Sequence, residues 1–248
     1  MNAFIAWPTE PERLSLADDE VHVWLAQLDE WESSADSFLP LLAADERDRA
    51  ERYVFRKHRL RFILTRGILR TLLGRYLQQP PERLSFDYSY YGKPSLAGEQ
   101  KLSPLRFNVS HAHHLALYAF TFKRELGLDL EHVRADFAGE EIAERFFSAR
   151  EVAGLRGLAP EERAAAFFNC WTRKEAYIKA RGEGLSFPLD QFVVSLAPGE
   201  PAALLEVRGS PSECERWTLR ELSPGAEYAA AVAVEGRDWR LRCWRWTG

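Results

Sequence analysis

The segment Phe122-Lys123-Arg124-Glu125-Leu126-Gly127-Leu128-Asp129-Leu130-Glu131-His132-Val133 decides how the rest of the chain is read. From Gly127 to Val133 apolar and polar residues alternate, which predicts a strand. Successive strand side chains face opposite ways, so Leu128 and Leu130 are expected in a core, with Asp129 and Glu131 together on the other face. The strand also restarts an order of elements that the chain has already run through once. Before it come a strand around Val21–Ala26, a helical region from Leu41 to Leu77, and strands at Leu84–Tyr88, Arg106–Val109 and Leu115–Phe122. The helical region carries Phe55, Phe62, Leu69, Leu73 and Tyr76 at helical spacing and is ended by Pro80-Pro81. After it come helices at Gly139–Phe147, from Ser148, and at Glu161–Lys179, then four or five strands between Gln191 and Trp246. Ser148-Ala149-Arg150-Glu151 fits a capping box, and Gly182 and Gly184 stop the last helix. The expected class is α+β, with two similar halves, 1–122 and 123–248.

Composition narrows the function classes. A chain of 248 residues has room for a substantial core, and a net charge of −4 gives no reason to expect nucleic-acid or membrane affinity. Met1 to Pro8 lacks the features of a signal peptide, and no apolar run approaches a membrane span. Cys170, Cys214 and Cys243 are odd in number and widely spaced, which suits reduced thiols in a cytoplasmic protein.

Two carboxylates on one strand face repel unless a proton or cation lies between them. Phe167, Trp171, Glu175 and Ile178 form a helical stripe, so Glu175 falls in the middle of an apolar face and needs a partner. Lys179, one turn on, is the simple partner, yet it can equally serve a ligand, and Lys174 lies beside Glu175. Asp129, Glu131 and Glu175 meeting at one point call for a hard dication. Magnesium suits them, since it takes a few carboxylates and leaves room for water and phosphate oxygens.

Gly127-Leu128-Asp129-Leu130-Glu131, followed by Trp171-Thr172-Arg173-Lys174-Glu175-Ala176-Tyr177-Ile178-Lys179, resembles the two signature motifs of the 4′-phosphopantetheinyl transferases. Tyr91-Gly92-Lys93-Pro94, Phe107-Asn108-Val109-Ser110-His111 and Phe146-Phe147-Ser148-x-x-Glu151 resemble segments of the larger, Sfp-type branch. The five segments stand in order between Leu41 and Phe192, with Lys-Glu-Ala where other members have Lys-Glu-Ser.

The resemblance implies a monomeric pseudo-dimer of two α+β halves with the active site in the cleft between them. It implies transfer of the phosphopantetheine arm of coenzyme A, the co-substrate, to a serine of an acyl or peptidyl carrier protein, with release of adenosine 3′,5′-bisphosphate. Asp129, Glu131 and Glu175 would hold magnesium. Glu175 would serve as general base and Lys179 would stabilise the pyrophosphate. Gly92, Lys93 and Pro94 would hold the adenine, and Ser110 and His111 would contact phosphates. Lys57 and Arg61 match the 3′-phosphate contacts, with Arg49, Arg52, Arg56 and Arg66 next. Most of the stripe formed by Arg49, Arg52, Arg56, Arg59, Arg66 and Arg70 is expected on a solvated face. Val133, Phe137 and Ile142 are expected to offer an apolar contact to the carrier. A non-catalytic coenzyme A- or carrier-binding module of the same fold is the alternative. A zinc site at His111, His113 and His114 lacks a fourth ligand at finger spacing, and a nucleic-acid binder lacks a motif.

Overall fold

The computed structural model describes residues 7–134, 139–182 and 184–248; Phe137 lies outside them. The elements in chain order are β1 (Glu20–Gln27), α1 (Ala35–Phe38), α2 (Ala44–Glu51), α3 (Arg56–Leu77), β2 (Phe86–Tyr88), β3 (Pro94–Leu96), β4 (Leu105–Ala112) and β5 (Leu115–Phe122). Then follow β6 (Leu126–His132), α4 (Glu140–Phe146), α5 (Ala149–Gly157), α6 (Pro160–Arg181), β7 (Phe192–Val194), β8 (Leu204–Val207), α7 (Glu213–Arg216), β9 (Trp217–Leu222), β10 (Tyr228–Glu235) and β11 (Arg240–Arg245). The fold is mixed α+β. No described helix is long and apolar enough to cross a membrane.

Four layers follow from strand alternation. One sheet has the order β11-β1-β5-β4 and a second has β6-β10-β9. Trp24, Tyr118 and Phe120 on one face of the first sheet pack under α3 with Leu64, Ile68 and Leu72. The odd-numbered Val21, Val23, Leu115 and Leu117 face the other way and meet Leu126, Leu128, Leu130 and Val232 of the second sheet. The second sheet's outer face, with Ala229, Ala231 and Ala233, packs under α6. The last strand returns to the first sheet, where β11 runs parallel to β1 with Glu20 opposite Arg240.

The helical region expected as one piece is two helices. Phe55 is extended, and the N–H groups of Arg52 and Tyr53 close the first helix back onto Arg49 and Ala50. Tyr53 turns inward onto Phe62, with ring centroids 5.6 Å apart. The break folds α2 against α3 so that Glu46 reaches Arg70 at 2.6 Å. The capping box at Ser148 forms, and α6 ends at Gly182 in the left-handed conformation.

Candidate active site

Gly127 decides where α6 lies. A Cβ at this position would stand 2.1 Å from the carbonyl oxygen of Ala176 and 2.3 Å from the amide nitrogen of Ala180. Only glycine lets the helix backbone settle onto β6 so closely. That approach brings Trp171, Glu175 and Lys179, spaced one turn apart, over the face of β6 that carries Asp129 and Glu131. All five line one opening of about 410 Å³, together with Ser110 and His111.

Asp129 is 3% exposed. Its Oδ1 accepts from Lys179 Nζ at 2.5 Å and from Ser110 Oγ at 3.2 Å. Its Oδ2 is buried and has no hydrogen-bond partner among the described residues. Burial, and then the charge of Asp129, push the Glu131 carboxyl up to about 7, although Lys179 and the Trp171 indole oppose the shift. Burial also raises Glu175, against the pull of Lys179 and with the help of Asp129. Burial alone would lower Lys179, but Asp129, Glu175 and Glu131 outweigh it and keep the ammonium protonated beyond its usual range.

Among the described residues the acidic groups are not already closed around a point as a finished metal cage. They are spread along the opening, with Lys179 engaging one oxygen of Asp129. What fits them to a cation is the charge they leave unmatched: an orphaned buried oxygen and two carboxyls that burial and mutual repulsion push toward protonation. A dication with oxygen ligands would relieve all three.

A cleft of about 460 Å³ adjoins this opening. Arg49 and Arg66 line one end, the Tyr91–Pro94 turn lies along it, and His111, Glu175 and Lys179 line it as well as the acidic opening. His111 remains open to solvent, yet surrounding protein, and then Lys179, Arg61 and Arg49, hold its pKa below the usual value.

Not every residue singled out from the sequence faces the cleft. Lys57 is exposed on the first turn of α3, and neither it nor Arg61 lines the cleft. Arg61 is half-buried, with Nε and Nη2 enclosed and without partners among the described residues. The arginine stripe is not all solvated. Arg70 is fully buried, bonded to Glu46 and to the carbonyls of Pro81 and Leu84. Arg66 is buried beside Phe62, Phe86 and Tyr88, donates to the Tyr88 hydroxyl at 3.2 Å, and has Nη1 enclosed without a partner among the described residues. The signal for this was present: Arg66 and Arg70 share the helical stripe of Phe62, Leu69 and Leu73, and an arginine on such a stripe is buried.

Lys93 is not a loose turn lysine. Its ammonium donates to the carbonyls of Leu126 at 3.1 Å and Lys179 at 2.7 Å. Gly92, at φ +80°, closes the turn, with its N–H on Ser89 O at 2.8 Å. Lys174 is fully buried, paired with Glu151 at 2.8 Å and bonded to the carbonyls of Leu189 and Phe192, so it faces away from the acidic opening. His113 and His114 pair with each other, and His114 with the Tyr228 hydroxyl, at the far end of β4, and His111 stands apart from them in the cleft.

Residues 125–233 match the 4′-phosphopantetheinyl transferase superfamily, and residues 23–122 match the 4′-phosphopantetheinyl transferase N-terminal family. The chain is 42% identical over 240 residues to the 4′-phosphopantetheinyl transferase HetI of Nostoc sp., covering 97% of this chain and 98% of that protein. It is 30% identical over 198 residues to the 4′-phosphopantetheinyl transferase Sfp of Bacillus subtilis, covering 80% of this chain and 85% of that protein. A crystal structure of Thermotoga maritima holo-[acyl-carrier-protein] synthase superposes on 46% of this chain and 63% of its own, with 19% identity and a TM-score of 0.37. With family matches to both parts of the chain and relatives aligned over most of its length, the chain belongs to the Sfp-type 4′-phosphopantetheinyl transferases.

Proposed function

We propose that this enzyme moves the 4′-phosphopantetheine arm of coenzyme A onto a serine of an apo acyl or peptidyl carrier protein, in a magnesium-dependent reaction that releases adenosine 3′,5′-bisphosphate. The observation that carries the proposal is the sharing of His111, Glu175 and Lys179 between the arginine-lined cleft and the acidic opening. A donor lying in the cleft has its pyrophosphate where the two meet.

Arg49 and Arg66, which line the cleft, would hold the 3′-phosphate, and the backbone of the Gly92–Pro94 turn would flank the adenine. Asp129, Glu131 and Glu175 would hold magnesium, which supplies positive charge to the pyrophosphate oxygens. His111 and Lys179 orient the same phosphates and offset negative charge as it shifts to the leaving oxygen. Glu175, made more basic by burial, takes the proton of the carrier serine as its oxygen bonds to phosphorus and the bond to the bisphosphate breaks. The protein acts as a cytoplasmic monomer. Its two α+β halves, 1–122 and 123–248, form a pseudo-dimer, in which each half builds a sheet with its helix outermost and β11 of the second half completes the sheet of the first.

The test is intact-mass measurement of fatty-acid, polyketide and peptide apo-carriers after incubation with coenzyme A, magnesium and the enzyme. A carrier gaining one phosphopantetheine, and no gain with excess chelator, supports the proposal. Tight coenzyme A binding without mass gain on any carrier would favour the non-catalytic module.

A further inference from the structure

β4 and β6 are edge strands of different sheets, yet they lie side by side. Among the described residues no backbone ladder joins them. Side chains do so instead. Asn108 Oδ1 accepts from the Leu128 N–H at 2.8 Å, and Ser110 Oγ accepts from the Leu130 N–H at 3.3 Å. Lys93 Nζ donates to the Leu126 carbonyl at 3.1 Å. Residues 126, 128 and 130 alternate along β6, so their backbone groups point to one edge, the edge away from β10. Three side chains of the first half therefore close the free edge of the strand that carries Asp129 and Glu131.

Two of the three also hold catalytic groups. Ser110 Oγ donates to Asp129 Oδ1 at 3.2 Å. Lys93 Nζ donates to the Lys179 carbonyl at 2.7 Å, in the last turn of α6, where the helix dipole favours a cation. Asn108 and Ser110 are 4% and 8% exposed, so water has little access to replace them, and a buried backbone group left without a partner is costly. A residue that acts by gripping the donor keeps its polar group free for it. Here the Lys93 ammonium and the Ser110 hydroxyl are already engaged at the seam.

We infer that Lys93, Asn108 and Ser110 are positioning residues of the transfer site. They lock β6 and the end of α6 to the first sheet, and so set Asp129 and Lys179 against the cleft that holds the donor. The inference rests on the transfer reading, and three readouts separate the two: turnover, coenzyme A affinity by equilibrium dialysis, and amide exchange of β6.

In Lys93→Met and Asn108→Ala, kcat is expected to fall about tenfold or more while the coenzyme A Kd stays within about threefold, because a misplaced catalytic group costs turnover and not ground-state binding. Exchange at the Leu128 and Leu130 amides is expected to quicken. Lys93→Arg, which keeps donors for both carbonyls, is expected to recover most of the turnover. A coenzyme A Kd weakened about tenfold with kcat unchanged would overturn the inference in favour of donor contact. Unaltered exchange in both variants would overturn it even if the wild-type enzyme transferred nothing, an outcome that by itself refutes only the transfer reading. If Lys93→Met fails to fold by circular dichroism, Asn108→Ala decides by the same criteria.

Discussion

Replacing Lys174 by methionine keeps most of the side chain's volume and removes its charge. Lys174 is 0% exposed, and its ammonium meets Glu151 at 2.8 Å, Leu189 O at 2.7 Å and Phe192 O at 2.6 Å. Glu151 would keep the N–H groups of Ser148 and Val194 and the Ser148 hydroxyl, but its buried charge would lose its counter-ion. Breaking a buried pair from one side costs about 3–5 kcal/mol. For a chain of this size each kcal/mol lowers Tm by roughly 2–4 °C, so a fall of about 6–20 °C is expected. Thermal unfolding followed by circular dichroism reads it directly. The double variant with Glu151→Gln should lose less than the sum of the two single losses, since no unpaired charge remains. Coenzyme A affinity and turnover below the transition should change little. A Tm within about 2 °C of the wild type, combined with a large loss of turnover, would refute the structural role and place Lys174 at the substrate.

Arg66→Ala and Arg49→Ala should each weaken coenzyme A about ten- to a hundredfold, the worth of a charge-assisted contact of about 1.5–3 kcal/mol, and dephospho-coenzyme A much less. Lys57→Ala should spare both donors, and equal losses for both donors in Arg66→Ala would remove the 3′-phosphate assignment. Gly127→Ala puts a methyl group 2.1 Å from the Ala176 carbonyl oxygen, so β6 and α6 must separate, and soluble yield, Tm and turnover should fall together. With chelator present, Glu131 has a raised folded pKa of about 7 against 4.5 unfolded. The folded state then binds more protons in that window, so this group's contribution to stability is full below pH 4.5 and is lost as pH rises through about 7. Glu131→Gln should flatten that slope in melting curves between pH 5 and pH 8; an unchanged slope would mean that Glu131 titrates normally.

The sequence made one kind of information plain and hid another. Strand alternation at Gly127–Val133 and the stripe of Phe167, Trp171, Glu175 and Ile178 are local patterns, and both placed their carboxylates correctly on the faces that meet. The close contact of α6 with β6 also has a local mark, Gly127, but its meaning depends on a helix fifty residues further on. The break at Tyr53–Phe55 was invisible to periodicity, because Phe55 and Phe62 keep helical spacing across it. Without the break, Glu46 cannot be seen to fold back onto Arg66 and Arg70, and those arginines read as part of a solvated stripe. The uses of Lys93, Asn108 and Ser110 were hidden for a different reason. Their partners are backbone groups of β6 and α6, and a backbone group carries no sequence signal.

The central claim is that Glu175 and its neighbours move a phosphopantetheine from coenzyme A to a carrier serine. The most direct measurement is a single-turnover reaction with apo-carrier, coenzyme A and magnesium, in which carrier mass and adenosine 3′,5′-bisphosphate are quantified together for the wild type and for Glu175→Gln. The wild type should give one adduct and one bisphosphate per carrier, and Glu175→Gln should lose about 10²–10⁴-fold in rate, the range for a lost general base, while still binding coenzyme A. Wild-type protein that yields neither product, or Glu175→Gln that turns over as fast as the wild type, would contradict the account.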